Sequence, residues 1–340
     1  MNLLEVQGLK KYFPITRGLL RRTVGQVKAV DDISFSIAPG ETLGLVGESG
    51  CGKTTTGHLL LRGLEATGGK ILFQDKELGN VDIASTDKAT LKKVRQNIQM
   101  IFQDPNASLN PRMTVLDLVG EPLKVNGLAK GADLEEQVVG LLEQVGLSSS
   151  YLRRFPHAFS GGQRQRLVIA RALALKPQLI VADEPTSALD VSIQAQTLNL
   201  LKQLQAELGL TFLFIAHNLS VVEHMSDRVA VMYVGRIVEI ADTNELYHLP
   251  KHPYTEALLS SVPQPGASGR RERIILQGEV PSPASPPSGC HFHPRCAYAK
   301  DICAAQEPPL LELGKGHFSR CHFAEDLQLN GVINGTNKAT

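Results

Sequence analysis

Short apolar runs alternate with longer amphipathic stretches over residues 1–250. Thr42–Val46 reads as a short buried strand, and a Gly-rich turn leads from it into Thr54–Leu64, which reads as a helix. Leu179–Ala182 and Thr211–Ala216 are further apolar runs of strand length, and between them Leu198, Leu201, Leu204 and Leu208 recur at helical spacing. Strands separated by helices predict a parallel sheet covered on its faces, hence an α/β fold.

Phe102 to about Phe159 breaks this rhythm. Asn106, Asn110, Pro111 and Pro122 punctuate it, and its helical segments are amphipathic, as in Leu134–Val145. It reads as a helical insertion, about 104–160, between two sheet segments. Composition shifts again after about Ser260, where Pro263, Pro265, Pro281, Pro283, Pro286 and Pro287 form a Pro-rich linker ahead of a cysteine cluster. The expected organisation is a large domain over 1–260 and a small Pro/Cys-rich extension over 261–340, with a polar, frayed end at Asn330–Thr340. No internal repeat is visible.

A length of 340 residues suits one large domain with an appendage. The net charge of +1 gives no electrostatic case for a nucleic-acid partner. The longest apolar stretches, such as Leu208–Ala216, fall well short of the roughly 20 residues a spanning helix needs. Met1–Phe13, which carries Lys10 and Lys11, does not read as a secretory signal. The chain is therefore expected in the cytoplasm, reaching a membrane only through partner proteins.

The chemistry concentrates first at Gly47-Glu48-Ser49-Gly50-Cys51-Gly52-Lys53-Thr54, which fits G-x-x-x-x-G-K-[ST] between a strand and a helix. Glycines let the backbone curl so that N–H groups converge on phosphate oxygens, and the helix N-terminus adds partial positive charge. Lys53 brings a full charge to the β- and γ-phosphates of ATP, and Thr54, followed by Thr55, offers a hydroxyl to Mg²⁺. A second element, Leu179-Ile180-Val181-Ala182-Asp183-Glu184, is an apolar strand ending in two acids. Two carboxylates facing a core would be costly, so they are expected at the strand's C-terminal end, where ligands sit in open α/β sheets. Asp183 is then placed to hold Mg²⁺ and Glu184 to act as general base toward the γ-phosphate.

A third element, Phe159-Ser160-Gly161-Gly162-Gln163, opens a helical pattern that runs to Leu175. A second anion cradle in one chain makes sense if it serves a nucleotide held by another subunit. The segment resembles the signature loop of ATP-binding cassette (ABC) ATPases. The remaining motifs of that family stand in order: Gln103 matches the Q-loop, Ser187-Ala188-Leu189-Asp190 the D-loop, and His217 the switch histidine. Tyr12 sits where the family places an aromatic that stacks on adenine. The resemblance covers roughly residues 3–260 and implies a P-loop ATPase core with a β subdomain and a helical insertion. It also implies that two cassettes meet head to tail, each signature loop covering its partner's ATP. Glu184 and His217 are the catalytic residues it implies, with Gln103 sensing Mg²⁺ and the attacking water. Phe159 replaces the usual Leu, and Thr54–Thr55 replace the common Ser–Thr; both changes keep the chemistry.

The tail narrows the family. His252–Leu259, Gly278–Pro283, Gly289–Cys296 and Asp104–Arg112 resemble the dipeptide/oligopeptide importer ATPases, and within them the F-type ATPase of a heterodimeric pair. This resemblance implies a second, homologous ABC ATPase, two transmembrane permease subunits and an extracytoplasmic peptide-binding protein. It places the chain peripherally, on the cytoplasmic face of the inner membrane. Cys290, Cys296, Cys303 and Cys321 follow C-x₅-C-x₆-C-x₁₇-C spacing. In a reducing cytosol such crowding points to metal or cluster ligation rather than disulfides. Four thiolates suit a [4Fe–4S] cluster, while His291, His293, His317 and His322 keep Zn²⁺ open, and unligated buried thiols or labile disulfides are a third reading.

Related cargoes, such as glutathione, nickel chelates or antimicrobial peptides, fit the same ATPase role. A soluble ABC ATPase acting on nucleic acid fits less well, because the chain has one cassette and no long coiled coil.

Overall fold

The computed structural model describes residues 2–18, 22–262 and 273–332. Pro263 and Pro265 of the expected linker, and the expected frayed end from 333 onward, lie outside the described residues.

In chain order the first elements are β1 (Leu4–Arg17), β2 (Arg22–Ile37), β3 (Thr42–Val46), α1 (Lys53–Leu60), β4 (Gly68–Asp75), β5 (Gly79–Asp82), α2 (Lys88–Asn97) and β6 (Ile98–Ile101). Three helices follow, α3 (Pro105–Ser108), α4 (Val115–Val125) and α5 (Gly131–Gln144), then α6 (Gly161–Leu173), β7 (Leu179–Asp183), α7 (Val191–Leu208) and β8 (Thr211–Ile215). The rest comprises α8 (Leu219–Met225), β9 (Arg228–Tyr233), β10 (Arg236–Asp242), α9 (Thr243–His248), α10 (Pro253–Leu259), α11 (Asp301–Ala305), β11 (Leu311–Gly314) and β12 (His317–Ser319). The chain divides into two compact units, one of Met1–Leu4, Ile37–Thr42 and Leu72–Ile215, the other of Glu5–Ser36, Leu43–Ile71 and Ala216–Thr340.

In the first unit β7 runs parallel to β6 on one side and β8 on the other, from Ile98↔Leu179 to Asp183↔Ile215. Every residue of β7 and β8 is buried, which explains the apolar runs Leu179–Ala182 and Phe212–Ile215 within them. Helix α6 packs on β6 and α7, and α7 buries Leu198, Leu201 and Leu204, three of the four leucines whose spacing marked a helix, and leaves Leu208 exposed. The amphipathic segment expected at Leu134–Val145 is α5, which buries Leu134, Val138 and Leu142. Arg171 of α6 donates to the Glu121 carboxylate of α4 at 2.6 Å and to the Ser108 carbonyl at 3.0 Å, tying the signature helix to the helices before it.

In the second unit β3 pairs parallel with β9, and β10 pairs antiparallel with β9. The Cys-rich tail adds to this sheet: β12 lies antiparallel on β10, with Glu239 opposite Ser319, and β11 lies on β12. Short tail strands with little core of their own thus acquire one by pairing. Helix α1 begins at Lys53 and stops at Leu60, short of the expected Leu64. Its end is fixed by the Gly63 N–H, which donates back to the His58 carbonyl at 2.8 Å. No helix among the described residues is long and apolar enough to cross a membrane.

Candidate nucleotide site

The phosphate loop belongs to the second unit. It leaves the buried strand β3 at Gly47 and enters α1 at Lys53, with Ser49 and Gly50 exposed at its tip. Gly52 caps α1 at φ 110°, and a Cβ there would collide with the Ala29 carbonyl oxygen. Only glycine accommodates both the left-handed backbone and the close approach. Lys53 is buried, and its Nζ donates to the Gly47 carbonyl at 2.8 Å and the Glu48 carbonyl at 3.0 Å, so its charge is held inside the curl of the loop. Thr54 is exposed beside it and Thr55 partly so. This cradle of backbone with one enclosed cation fits a polyphosphate. Cys51 contributes backbone to the loop while its thiol is buried, and burial raises its pKa. His217 is exposed and lies in the same unit; the preceding Ala216 N–H donates to the Leu45 carbonyl at 3.3 Å, near the end of β3 from which the loop departs.

In the first unit Asp183 is the last residue of β7 and is 3% exposed. Glu184 follows at φ 45°, a left-handed conformation that a non-glycine residue adopts at a cost of about 1–3 kcal/mol. Its N–H is tied to the Ile215 carbonyl at 2.9 Å, which holds the turn. The Gln103 amide, just beyond β6, donates to the Glu184 carboxylate at 3.0 Å. Parallel pairing of β6, β7 and β8 brings these C-terminal ends together. The sequence-predicted glutamine and glutamate therefore meet, although 81 positions separate them.

Ser160 and Gln163 form a reciprocal capping box at the start of α6. The Ser160 hydroxyl accepts from the Gln163 N–H at 3.3 Å, and the Gln163 side chain accepts from the Ser160 N–H at 3.1 Å. Gly161 is exposed, and Gly162 lets α6 approach α7, since a Cβ would come 2.5 Å from the Ile193 side chain. Tyr12, in the second unit, donates its hydroxyl to the Asp31 carboxylate. Burial, then that hydrogen bond, pushes the Tyr12 pKa up to about 12. Burial alone would raise the pKa of Asp31, but Tyr12 and Arg236, whose Nη2 lies 2.8 Å away, outweigh it and hold the carboxyl below its usual range.

Residues 30–187 match the family described as ABC transporter, and residues 238–303 match the oligopeptide/dipeptide transporter C-terminal region. The oligopeptide transport ATP-binding protein AppF of Bacillus subtilis (strain 168) is 55% identical over 95% of this chain and 97% of its own length. The chain belongs to the oligopeptide/dipeptide-type ABC transporter ATP-binding proteins. A probable peptide ABC transporter ATP-binding protein of Sinorhizobium fredii is 50% identical over 94% of this chain and 89% of its own. Among solved structures, the ATP-binding cassette MJ0796, as a dimer in a post-hydrolysis state with ADP and Pi, aligns at TM-score 0.61 and 27% identity, covering 71% of this chain and 98% of its own. CbiO1 of Clostridium perfringens aligns at TM-score 0.60 and 27% identity, over 72% of this chain and 90% of its own. These likenesses make the chain an ABC-type ATPase.

The cysteines of this ABC protein are free thiols, and Cys290, Cys296, Cys303 and Cys321 line one small cavity of about 20 Å³ with His293 and His322. Burial raises the thiol pKa of Cys290, takes that of Cys296 up to about 11 and that of Cys321 up to about 12. Among the described residues no group of three or more His, Cys, Asp or Glu side chains is arranged as a metal site. The expected clustering is there, with all four thiols bordering one cavity. Two expected histidines are engaged elsewhere. His317 sits between Glu239 at 2.7 Å and Glu245 at 3.0 Å, and His291 contacts the Val234 carbonyl at 3.1 Å.

The residues that sequence reasoning missed lie around Glu48. Its N–H donates to the Tyr254 hydroxyl at 2.9 Å, and its carboxylate is held by Arg295 at 2.7 and 3.2 Å. The only signal available was the proximity of Arg295 to the cysteines.

Proposed function

We propose that the chain hydrolyses ATP to power peptide import through an ABC transporter at the cytoplasmic membrane. The observation that carries this reading is the match to AppF, an oligopeptide transport ATP-binding protein, over 95% of the chain. The residues of the phosphate loop, Asp183, Glu184, Gln103 and His217 agree with it chemically. In this reading Gly47–Thr55 bind the phosphates, with Lys53 countering their charge, and Tyr12 stacks on adenine. Glu184 takes the proton of the attacking water, Gln103 orients the Glu184 carboxylate, and His217 contacts the γ-phosphate. Thr54, Gln103 and Asp183 are the proposed holders of Mg²⁺, whose chemistry is to neutralise developing charge on the phosphates. Ser160–Gln163 cover the nucleotide of a second, homologous ATPase, and that subunit's equivalent loop completes this site.

The domain division is proposed at 1–260 and 261–340, with the insertion at about 104–160 meeting two permease subunits. An extracytoplasmic binding protein delivers the peptide, and the chain is peripheral on the cytoplasmic face. The cysteine quartet is proposed as the ligand set of a structural [4Fe–4S] cluster, with Zn²⁺ the alternative. Four thiols gathered at one cavity support this. Iron content and broad visible absorbance of anaerobically purified protein test it, and absence of both iron and zinc removes it.

The test of function is ATP hydrolysis by the transporter in vesicles. Stimulation by binding protein loaded with peptide supports the reading. Stimulation only by glutathione or a nickel chelate reassigns the cargo, and hydrolysis indifferent to every loaded binding protein removes the transport role.

A further inference from the structure

The second residue of the phosphate loop is a glutamate, which is an electrostatic problem. A carboxylate there places a like charge beside the anion that the loop's N–H groups and Lys53 collect. Glu48 is one hydrogen bond from that lysine, through its own carbonyl at 3.0 Å. The Cys-rich extension supplies the compensation. Arg295 grips the Glu48 carboxylate with both terminal nitrogens, at 2.7 and 3.2 Å, and the guanidinium side chain is 7% exposed. Planar two-point contact of this kind fixes geometry as well as charge.

Arg295 is itself held in place. It ends a short 3₁₀ turn, His293–Arg295, closed by the Arg295 N–H on the Phe292 carbonyl at 3.0 Å. Phe292 is buried against Tyr233 and Tyr254, with ring centroids 5.2 and 5.4 Å away. The Tyr254 hydroxyl in turn accepts the Glu48 N–H at 2.9 Å. Glu48 is thus clamped at its backbone N–H, its carboxylate and its carbonyl, two of the three from residues beyond the cassette motifs.

We infer that Arg295 is a positioning residue for nucleotide binding: by neutralising and orienting Glu48, the C-terminal extension sets the ATP affinity of the phosphate loop. A change in the cysteine cavity reaches the loop through Arg295, which lies between Cys290 and Cys296, and through Phe292, which lines the cavity and packs on Tyr254. The inference rests on the phosphate loop binding ATP, as proposed above.

The experiment measures Mg-ATP affinity of the full chain by equilibrium binding, with thermal melting as the control for folding. Arg295→Met is expected to weaken ATP binding about tenfold, the scale of one uncompensated charge at partly shielded range. Adding Glu48→Gln to that variant removes the charge needing compensation, and affinity is expected to return to within about threefold of Glu48→Gln alone. Arg295→Lys, which keeps the charge but not the two-point grip, is expected to weaken binding less than neutral Arg295→Gln, which weakens as Met does. If Arg295→Met melts early, the Lys and Gln pair decides. Parent-like affinity in the neutral variants overturns the inference, as does weakening that Glu48→Gln fails to relieve. If the parent itself does not bind ATP, it is the functional reading that fails.

Discussion

The Gln103 amide donates to the Glu184 carboxylate at 3.0 Å, while Glu184 itself is held at φ 45° at the end of β7. A strained backbone at a strand end aims the carboxylate, and the glutamine fixes one of its two oxygens. With Glu184 as base, Glu184→Gln keeps the hydrogen-bonding shape and loses the proton acceptor. Hydrolysis is expected to fall by at least about 100-fold while ATP stays bound. Single-turnover assays with a nucleotide-retention measurement check this; unchanged hydrolysis would remove Glu184 from the mechanism.

Gly52→Ala tests the phosphate loop from its backbone. The new methyl group meets the Ala29 carbonyl oxygen, and φ 110° is closed to alanine without strain. The loop must open, so ATP affinity is expected to fall by at least about tenfold, with a stability loss of about 1–3 kcal/mol. Equilibrium binding and thermal melting read the two effects separately.

Legibility followed the range of the forces involved. Asp183 and Glu184 were readable because an apolar strand ending in two acids is a local contradiction that only a strand end resolves. The phosphate loop was readable because its glycines serve local backbone geometry. The Ser160–Gln163 segment was recognisable as a helix start, and here its two polar side chains cap α6 reciprocally. The Gln103–Glu184 contact needed the strand order, because 81 positions separate the pair. The Arg295–Glu48 clamp, 247 positions apart, had no local signature beyond the nearness of Arg295 to the cysteines. Proline content marked the tail as an extension, whereas β12 joining β10 is a register match between distant strands.

Cys51 stands inside the phosphate loop, yet its thiol does not face solvent. The structure leaves it 2% exposed, and burial raises its pKa, so little thiolate is available at neutral pH. Maleimide labelling of the folded, nucleotide-free chain is expected to be at least about tenfold slower at Cys51 than in urea-unfolded chain. Peptide mass spectrometry after timed quenching checks it, and rapid labelling of the folded chain would mean the loop opens without nucleotide.

His317 gives the fold a pH dependence whose sign can be worked out. It is 1% exposed between Glu239, fully buried, and Glu245. Burial lowers its pKa, but hydrogen bonds to Glu239 and Glu245 outweigh that and leave it raised. Both ring nitrogens face carboxylates, so both contacts are donated only by the imidazolium. A raised folded-state pKa means the folded chain binds the proton more tightly than the unfolded chain. The stabilisation is therefore complete below the unfolded value of about 6.5 and is lost as pH rises through the folded value. The melting temperature of the parent is expected to fall, relative to His317→Gln, as pH is raised from about 6 upward. His317→Gln itself is expected to cost about 3 kcal/mol at pH 6, because Glu239 keeps only the Lys251 and His252 N–H donors at 2.6 and 3.0 Å. Parallel pH profiles for parent and variant, by thermal melting, would show instead that folding leaves the affinity of His317 for its proton unchanged.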